Sequence, residues 1–507
     1  RPRAVLVMST VCAFALVAGA SVPALRAAIM VCLYLSADLL EREPDTPTAL
    51  SLAGIVFILW DPRNVFDLGF QLSFASVASI LIFAPVVEQK LERAHRLLRA
   101  PLAVSLSVQI LPLPIAAANF HALPLAAPLA NLIAIPLLAA VLWLCFAASL
   151  LSFVWMPAAQ IAGHAAWLPI EVLRYVAHIG SSLRPTSLAL TTPTAPAWAL
   201  YWIAAAFLAA SVLVQKRHRK RVLALAALSF ALSIATWRLR AHEAEAVMLD
   251  VGHGDSSFIH MPTGETVLID GGDASEYGDR GQQIVAPFLW ARGITRLDAV
   301  MVSHSDRDHL GGLLYVVDNF RVGTAILGAV ESDHPLEQEF LAHCDARGTR
   351  IVRVKRGDVI AIGGVTFDVL HPSPGLPPDT LPNNLSVVVR VPFGSKTFLY
   401  AGDIEKESEA TLDVSSLRAD VLKVPHHGAD TSSSHAFIEA VAPKYAVIST
   451  GSRGRRVMDQ PIIDRYLSHG IDVMRTDRLG AIRFTLRDGE LRAESERAKR
   501  GYPIATN

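Results

Sequence analysis

The chain has 507 residues, 52% of them hydrophobic, a mean hydropathy of +0.38, and 46 basic against 46 acidic side chains. That length exceeds one ordinary domain. The balanced charge excludes a globally basic nucleic-acid binder, so any contact with a polyanion must be local.

Up to about residue 239 the sequence is apolar runs broken by short polar loops, and from 243 it reads as an ordinary α/β protein. It begins Arg-Pro-Arg without a methionine, which leads us to expect a fragment in which no signal peptide can be judged. A membrane-spanning helix needs roughly 20 mostly apolar residues. Stretches 4–20, 22–40, 65–87, 101–120, 129–154, 197–214 and 222–237 qualify or nearly do. Stretch 49–60 is short and reads as a re-entrant or tilted partial span. Stretch 155–183, with His164, Glu171, Arg174 and His178, reads as amphipathic or cavity-facing. About six to nine crossings follow from these lengths. The strongest basic clusters, "EQKLERAHRLLR" (88–99) and "QKRHRKR" (215–221), belong in the cytoplasm by the positive-inside rule. The last span then carries the soluble half to the extracytoplasmic side, against the two basic residues Arg238 and Arg240.

Within "QILPLPIAAANFHALPLAAPLANLIAIP" (109–136) proline follows proline, and Asn119, His121 and Asn131 stand at membrane depth. Broken helices and buried polar groups survive in lipid only where protein or a wet cavity satisfies them. Gln71, Gln109, Asn119 and Asn131 are therefore expected to line a polar path, the alternative being a kinked bundle that uses prolines for packing. The cysteines, Cys12, Cys32, Cys145 and Cys344, have neither metal nor disulfide spacing.

In the second half, short β-rich runs alternate with Gly, Asp and Pro turns. "VSHSDRDHLGG" (302–312) follows a buried strand and leads into a helix expected to start near Gly311; "KTFLYAGDIE" is a strand ending at Asp403; "ADVLKVPHHGADTSSS" is a strand ending at His426 and His427. Each acid or imidazole thus stands at the C-terminal end of an apolar strand, where α/β sheets place ligands. Imidazole nitrogen and carboxylate oxygen hold divalent ions with a position left for water. Alternating residues of an extended loop point the same way, so His304 and Asp306 are expected to face one ion. Asp308 and His309 would face a second, with Asp403 bridging and His427 completing the second position. Paired ions of this kind clamp the oxygens of an in-line phosphoryl displacement.

These residues resemble the metallo-β-lactamase superfamily, whose hallmark is a His-x-His-x-Asp-His loop; here Asp306 replaces the second histidine. With "MLDVGHGDSSFI", "VLIDGG", "NNLSVVVR", "FLYAGDIE" and "KVPHHGADTSSS", the chain is similar to the ComEC family of competence proteins. In the first half "LRAAIMVCLYL" and "DPRNVFDLGFQLSFASVASILIF" resemble that family's membrane segment. The resemblance implies a polytopic α-helical membrane domain (1–240) followed by an α/β domain of metallo-β-lactamase type, an αββα sandwich (241–507). The family's further N-terminal membrane and OB-like region is absent, consistent with truncation. It implies DNA uptake across the inner membrane, with a single-strand channel and hydrolysis of the other strand outside. The implied partners are DNA, the lipid bilayer, other competence proteins and a possible homodimer copy. A membrane-anchored hydrolase of another phosphodiester, or a domain that binds DNA without cleaving it, is the alternative.

Carried over residue by residue, the resemblance places His304, Asp306, Asp308, His309, Asp403 and His427 on metal positions. Two divalent ions, Zn²⁺ or Mn²⁺, are implied, because an oxygen-rich site suits either. Asp308 and His426 are assigned to the chemistry itself. Asp250, Asp255, Asp270, Asn384 and Ser386 are assigned to orient the ligands, the last two in the segment where many relatives supply another histidine. His253, where the family commonly has glutamine, is not counted as a ligand. Lys423, Ser432, Ser433, Arg453, Arg455 and Arg456 are the expected DNA contacts, and the run Ser432–Ser434 is also expected to cap a helix that begins near His435.

Overall fold

A computed structural model of the chain describes residues 2–43, 45–93, 95–182, 187–238, 243–275, 278–330, 333–377, 380–451 and 460–499. Contacts divide it into two units, Arg1–Arg240 and Ala241–Asn507.

The first unit is helical. Its helices are α1 (Pro2–Val17), α2 (Val22–Leu39), α3 (Thr46–Trp60), α4 (Leu68–Lys90), α5 (Arg96–Ser107) and α6 (Leu113–Phe120). They continue as α7 (Ala127–Ser152), α8 (Met156–Ala165), α9 (Trp167–Ser182), α10 (Ala195–Leu213) and α11 (Lys216–Arg238). A short antiparallel ribbon joins β1 (Ala122–Pro124) to β2 (Ser187–Ala189). Side-chain caps fix several starts: Asp45 accepts the Thr48 N–H before α3, and Asp67 accepts that of Phe70 before α4. Among the described residues four helices are long and apolar enough to cross a membrane, those at 68–90, 127–152, 195–212 and 216–238. The shorter apolar helices at 2–17, 23–37 and 46–60 fall below that length.

One sequence expectation about the spans is corrected here. The apolar stretch 101–120 is not one span but two short helices, α5 and α6, with a turn between them. Pro112 and Pro114 lack the N–H a continuing helix needs, and each ring crowds the preceding turn. The backbone freed at the break is satisfied by neighbours. Ser79 of α4 donates to the Ser107 carbonyl and accepts the Leu111 N–H, and Tyr201 of α10 donates to the Ile110 carbonyl. The residues expected to line a polar path mostly make local hydrogen bonds. Gln71, Asn119 and Asn131 donate to the Val65 carbonyl, the Ile115 carbonyl and the Ser105 hydroxyl. Gln109 alone of the four lines a cavity of about 490 Å³, otherwise walled by apolar and aromatic side chains such as Leu113, Tyr201 and Phe230. Helix α11 begins within the basic run 215–221.

The second unit is a sandwich. Its first strands are β3 (Glu245–Met248), β4 (Ser257–His260) and β5 (Thr266–Ile269), followed by a two-stranded ribbon of β6 (Ala274–Ser275) and β7 (Gly278–Asp279). Then come α12 (Ala286–Ala291), β8 (Arg296–Met301), α13 (Arg307–Asn319), β9 (Arg321–Gly328), α14 (Pro335–Arg347) and β10 (Arg350–Val354). The second series is β11 (Val359–Ile362), β12 (Val365–His371), β13 (Val388–Phe393) and β14 (Lys396–Tyr400). It continues through α15 (Lys406–Glu409), β15 (Val421–Lys423), α16 (His435–Val441), β16 (Tyr445–Ile448), α17 (Gln460–Ser468) and β17 (Asp472–Arg475). The final hairpin, β18 (Ile482–Arg487) and β19 (Glu490–Ser495), returns to the first sheet.

Eight strands form one sheet in the order β10-β9-β8-β5-β4-β3-β18-β19, and seven form the other, β11 through β17 in sequence order. One apolar layer, including Met248, Ile259, Phe367, Phe393, Phe398 and Phe484, lies between the sheets. A second packs α12 to α14 on the outside of the first sheet, and a third packs α16 and α17 on the outside of the other. This is the αββα arrangement. Strands β5, β8, β9 and β10 run parallel, as do β14 to β17, so in each run the C-terminal ends lie on one edge.

Candidate metal centre

The residues that follow those strand ends converge. Asp270 follows β5, His304 follows β8, Asp403 follows β14, and His426 and His427 follow β15. Helix α13 begins at Arg307, four residues before the expected Gly311, so Asp308 and His309 sit on its first turn and not in a loop. Paired glycines let that helix approach: a Cβ on Gly312 would stand 2.1 Å from the Gly271 carbonyl oxygen.

In each imidazole Nδ1 is engaged, which leaves Nε2 as the atom facing the centre. His309 Nδ1 donates to Asp270 Oδ2 at 3.0 Å, and Asp270 Oδ1 also accepts the Ser303 N–H at 2.8 Å. His304 Nδ1 meets Ser303 Oγ at 3.0 Å, and His427 Nδ1 donates to the Ser449 carbonyl at 3.2 Å, with Asp255 Oδ1 at 3.4 Å. Such outer partners fix ring orientation around a metal.

The inner atoms are a different matter. Nε2 of His304, His309 and His427 and Oδ1 of Asp403 are buried and make no hydrogen bond. Buried polar atoms are nearly always satisfied, so a set of orphans at one place calls for an absent partner. Their spacing suits a cation. His309 Nε2 is 3.2 Å from Asp403 Oδ2, His427 Nε2 is 3.4 Å from the same oxygen, and His427 Nε2 is 3.5 Å from Asp308 Oδ2. Donors about 2.0–2.1 Å from a tetrahedral ion stand about 3.4 Å apart. The donor set therefore fits divalent metal.

Electrostatics agree. Burial disfavours the His427 imidazolium, yet Asp403 and Asp255 outweigh it and raise its pKa to about 9. Burial likewise opposes charge on His309, and Asp403 with Asp270 still holds its pKa well above the usual value. Burial would raise the Asp403 pKa, but the His309 and His427 rings hold it well below the ordinary range. The cluster is built to surround positive charge.

The pairing differs from the sequence expectation. His309 groups with His304 and Asp403, while Asp308 groups with His427 and His253. His309 Nε2 lies 4.0 Å from Asp308 Oδ2, farther than from Asp403. Successive residues on a helical turn diverge by about 100°, so Asp308 and His309 face different positions. Asp306 Oδ2 is 3.6 Å from His304 Nε2, but its side chain is 42% exposed and among the described residues no three-residue donor group includes it. His426 stands beside the centre, its Nδ1 3.0 Å from Thr431 Oγ1 and 3.4 Å from a Glu405 oxygen, its Nε2 3.4 Å from Asn383 Nδ2. Both His426 and His427 have positive φ, 47° and 51°.

Asn384 and Ser386 support the β14 turn: Asn384 Oδ1 accepts the Glu405 N–H, and Ser386 Oγ accepts that of Asp403. The Asp250 carboxylate faces Arg497 at 3.4 Å. Three expected DNA contacts are corrected as well. Lys423 is 2% exposed and its ammonium pairs with Asp255. Ser432 and Ser433 are buried, Ser432 donating to the Pro425 carbonyl and Ser433 Oγ accepting from Tyr466. A strand pointing alternately in and out places the lysine inward. The cap of α16 is Ser434, whose Oγ accepts the Phe437 N–H. Arg453, Arg455 and Arg456 lie outside the described residues.

Sequence reasoning set aside His253, whose Nε2 is 3.6 Å from Asp308 Oδ2. It also passed over fully buried His371, which donates from Nδ1 to the Ser386 carbonyl. The signal for the first was a histidine between two glycines. For Lys423 it was a lone cation within an apolar strand.

Comparison with known proteins defines the class first. Residues 249–452 match the metallo-beta-lactamase superfamily, and the C-terminal unit is a domain of that fold. Residues 1–216 match the Competence protein family. The chain thus carries both domains in tandem, and the resemblance to the ComEC family holds along both. ComE operon protein 3 of Bacillus subtilis is 29% identical over 489 residues, 93% of this chain and 62% of that protein. Competence protein ComA of Neisseria gonorrhoeae is 31% identical over 265 residues, 52% of this chain and 35% of that one. The chain therefore spans less than two thirds of either relative. Among solved structures, the metallo-beta-lactamase fold protein YhfI of Bacillus subtilis aligns at 15% identity and a TM-score of 0.32, over 46% of this chain and 97% of that one.

Proposed function

We propose that the chain takes part in DNA uptake across the cytoplasmic membrane during natural transformation. The helical unit provides the path for one strand, and the C-terminal unit, on the extracytoplasmic side, hydrolyses phosphodiester bonds of the other. The observation that carries the hydrolase is the ring of buried imidazole Nε2 atoms left without hydrogen bonds around the Asp403 carboxylate. His304, His309 and Asp403 would hold one divalent ion, Zn²⁺ or Mn²⁺, and Asp308, Asp403 and His427 another. Ions bound there supply Lewis acidity and activation of water for phosphoryl transfer.

The protein's own part is positioning. Asp270 and Ser303 fix the His309 and His304 rings, and Asp255, itself held by Lys423, fixes His427. The Asn383 amide donates to His426 Nε2 at 3.4 Å and keeps a second N–H that could meet a phosphate oxygen. For sidedness, the helices between the two basic clusters that can cross a membrane are α7 and α10, an even number, so both clusters fall on one side. Helix α11 then leads the chain across. For the path, the support is the α5–α6 break beside the cavity at Gln109.

The test uses the full chain in detergent, supplied with Mn²⁺ or Zn²⁺ and offered single-stranded DNA, duplex DNA and a small phosphodiester. Wild type degrades DNA and chelation stops it, while Asp403→Ala or His304→Ala abolishes the activity. DNA degradation unchanged in Asp403→Ala overturns the assignment. Turnover of the small phosphodiester alone moves the substrate away from DNA.

A further inference from the structure

Resting on that reading of the centre, we infer that His253 is a cation ligand in this chain, closing the Asp308 and His427 position with a second imidazole. His253 Nε2 stands 3.6 Å from Asp308 Oδ2, and His427 Nε2 stands 3.5 Å from the same oxygen. The two rings are 5.0 Å apart between centroids. His253, Asp308 and His427 thus form one group of mutually close donors, the two distances to Asp308 being near the ~3.4 Å that a four-coordinate ion sets, and His427 Nε2 is also 3.4 Å from Asp403 Oδ2.

The ring's position is fixed by backbone. Gly254 has φ +113°, and a Cβ there would stand 2.2 Å from the Asp308 carbonyl oxygen, so only glycine lets the turn close on Asp308. The Asp255 N–H donates to that same carbonyl at 3.1 Å. On the other side, a Cβ on Gly451 would lie 3.0 Å from His253 N. The turn carrying His253 is therefore held between α13 and the segment after β16, with its ring over the donors.

The chemistry follows. The position would otherwise hold one nitrogen and two carboxylates, a set suited to Mn²⁺ or Mg²⁺; a second imidazole moves it toward Zn²⁺. The side chain is 58% exposed, so this ligand occupies the solvent-facing side and guards the approach to the ion. The partner position, with His304 and His309, gains nothing from it.

The full chain in detergent, stripped with a chelator and titrated with Zn²⁺ by calorimetry, tests this, with bound metal counted by mass spectrometry. Wild type takes up a pair of ions per chain. His253→Ala holds the tighter ion with unchanged affinity and binds the other at least about tenfold more weakly. Its preference for Zn²⁺ over Mn²⁺ at that step falls too. The metal-free variant melts with wild type, since an exposed ring is removed. An isotherm for His253→Ala that superimposes on wild type, with both ions bound, overturns the inference and leaves the centre standing. Failure of wild type to bind a pair of ions overturns the centre itself, and the inference with it.

Discussion

Polar side chains meet opposite fates in the two units. In the helical unit they are consumed locally: Ser79 serves both sides of the α5–α6 break, and Gln71, Asn119 and Asn131 each donate to a neighbour. In the sandwich, more deeply buried polar atoms at the strand ends are left over, with His304, His309 and His427 presenting unpartnered Nε2 atoms. Burial alone does not mark a functional group. A buried polar atom whose hydrogen bonds are complete is architecture, and one held firmly at its far side while its near side stays bare is a binding atom. Exceptions among the described residues of the helical unit include Arg26 Nε, Ser107 Oγ and the Gln109 amide nitrogen, which are buried and make no hydrogen bond.

That contrast can be broken at several points. The largest effect is expected at Lys423, whose ammonium neutralises Asp255 inside the sandwich. Lys423→Met leaves a buried carboxylate uncompensated and should cost about 3–5 kcal/mol, read as a lowered denaturation midpoint of the C-terminal unit. A near-neutral result would show that Asp255 is not held by charge. Next is Gly254→Ala, which forces a Cβ into the Asp308 carbonyl. About 2–3 kcal/mol of destabilisation is expected, together with weaker Zn²⁺ binding in a calorimetric titration. Ser79→Ala strips the break of its shared hydroxyl and should cost about 1–2 kcal/mol, measured by thermal unfolding in detergent. The smallest effects belong to Asn131→Ala and Gln71→Ala, about 0.6 kcal/mol or less each, with transformation frequency unchanged. Gln109→Leu sharpens the comparison. Its melting point should hold or rise, since an unsatisfied amide is removed, while DNA uptake falls if that amide contacts the passing strand.

Much of the sandwich was legible because strand and turn chemistry are local. The apolar runs before His304, Asp403 and His427 are β8, β14 and β15, and Ser434 caps the helix expected near His435. The grouping of donors was not legible. The sequence reading put Asp308 with His309 on one ion, but α13 begins at Arg307 and its first turn points the two apart. The burial of Lys423, Ser432 and Ser433 depends on Asp255, Pro425 and Tyr466, two of them far away in sequence. Hydropathy found the membrane-like half but not its interruption, because a window average counts Pro112 and Pro114 as tolerable when the backbone does not. The nearness of the Cys12 and Cys32 sulfurs, 3.7 Å apart between α1 and α2, was equally hidden in their spacing.

The backbone at His426 and His427 has a consequence of its own. Two consecutive side-chain-bearing residues occupy the left-handed region there, a conformation costing roughly 1–2 kcal/mol per residue that glycine adopts freely. Sequence drift governed by comfort of the main chain would install Gly-Gly at this corner. A lineage that keeps imidazoles in both places is resisting that pull, so retention of the pair among variants is a measure of selection for what the rings do and not for how well the chain folds.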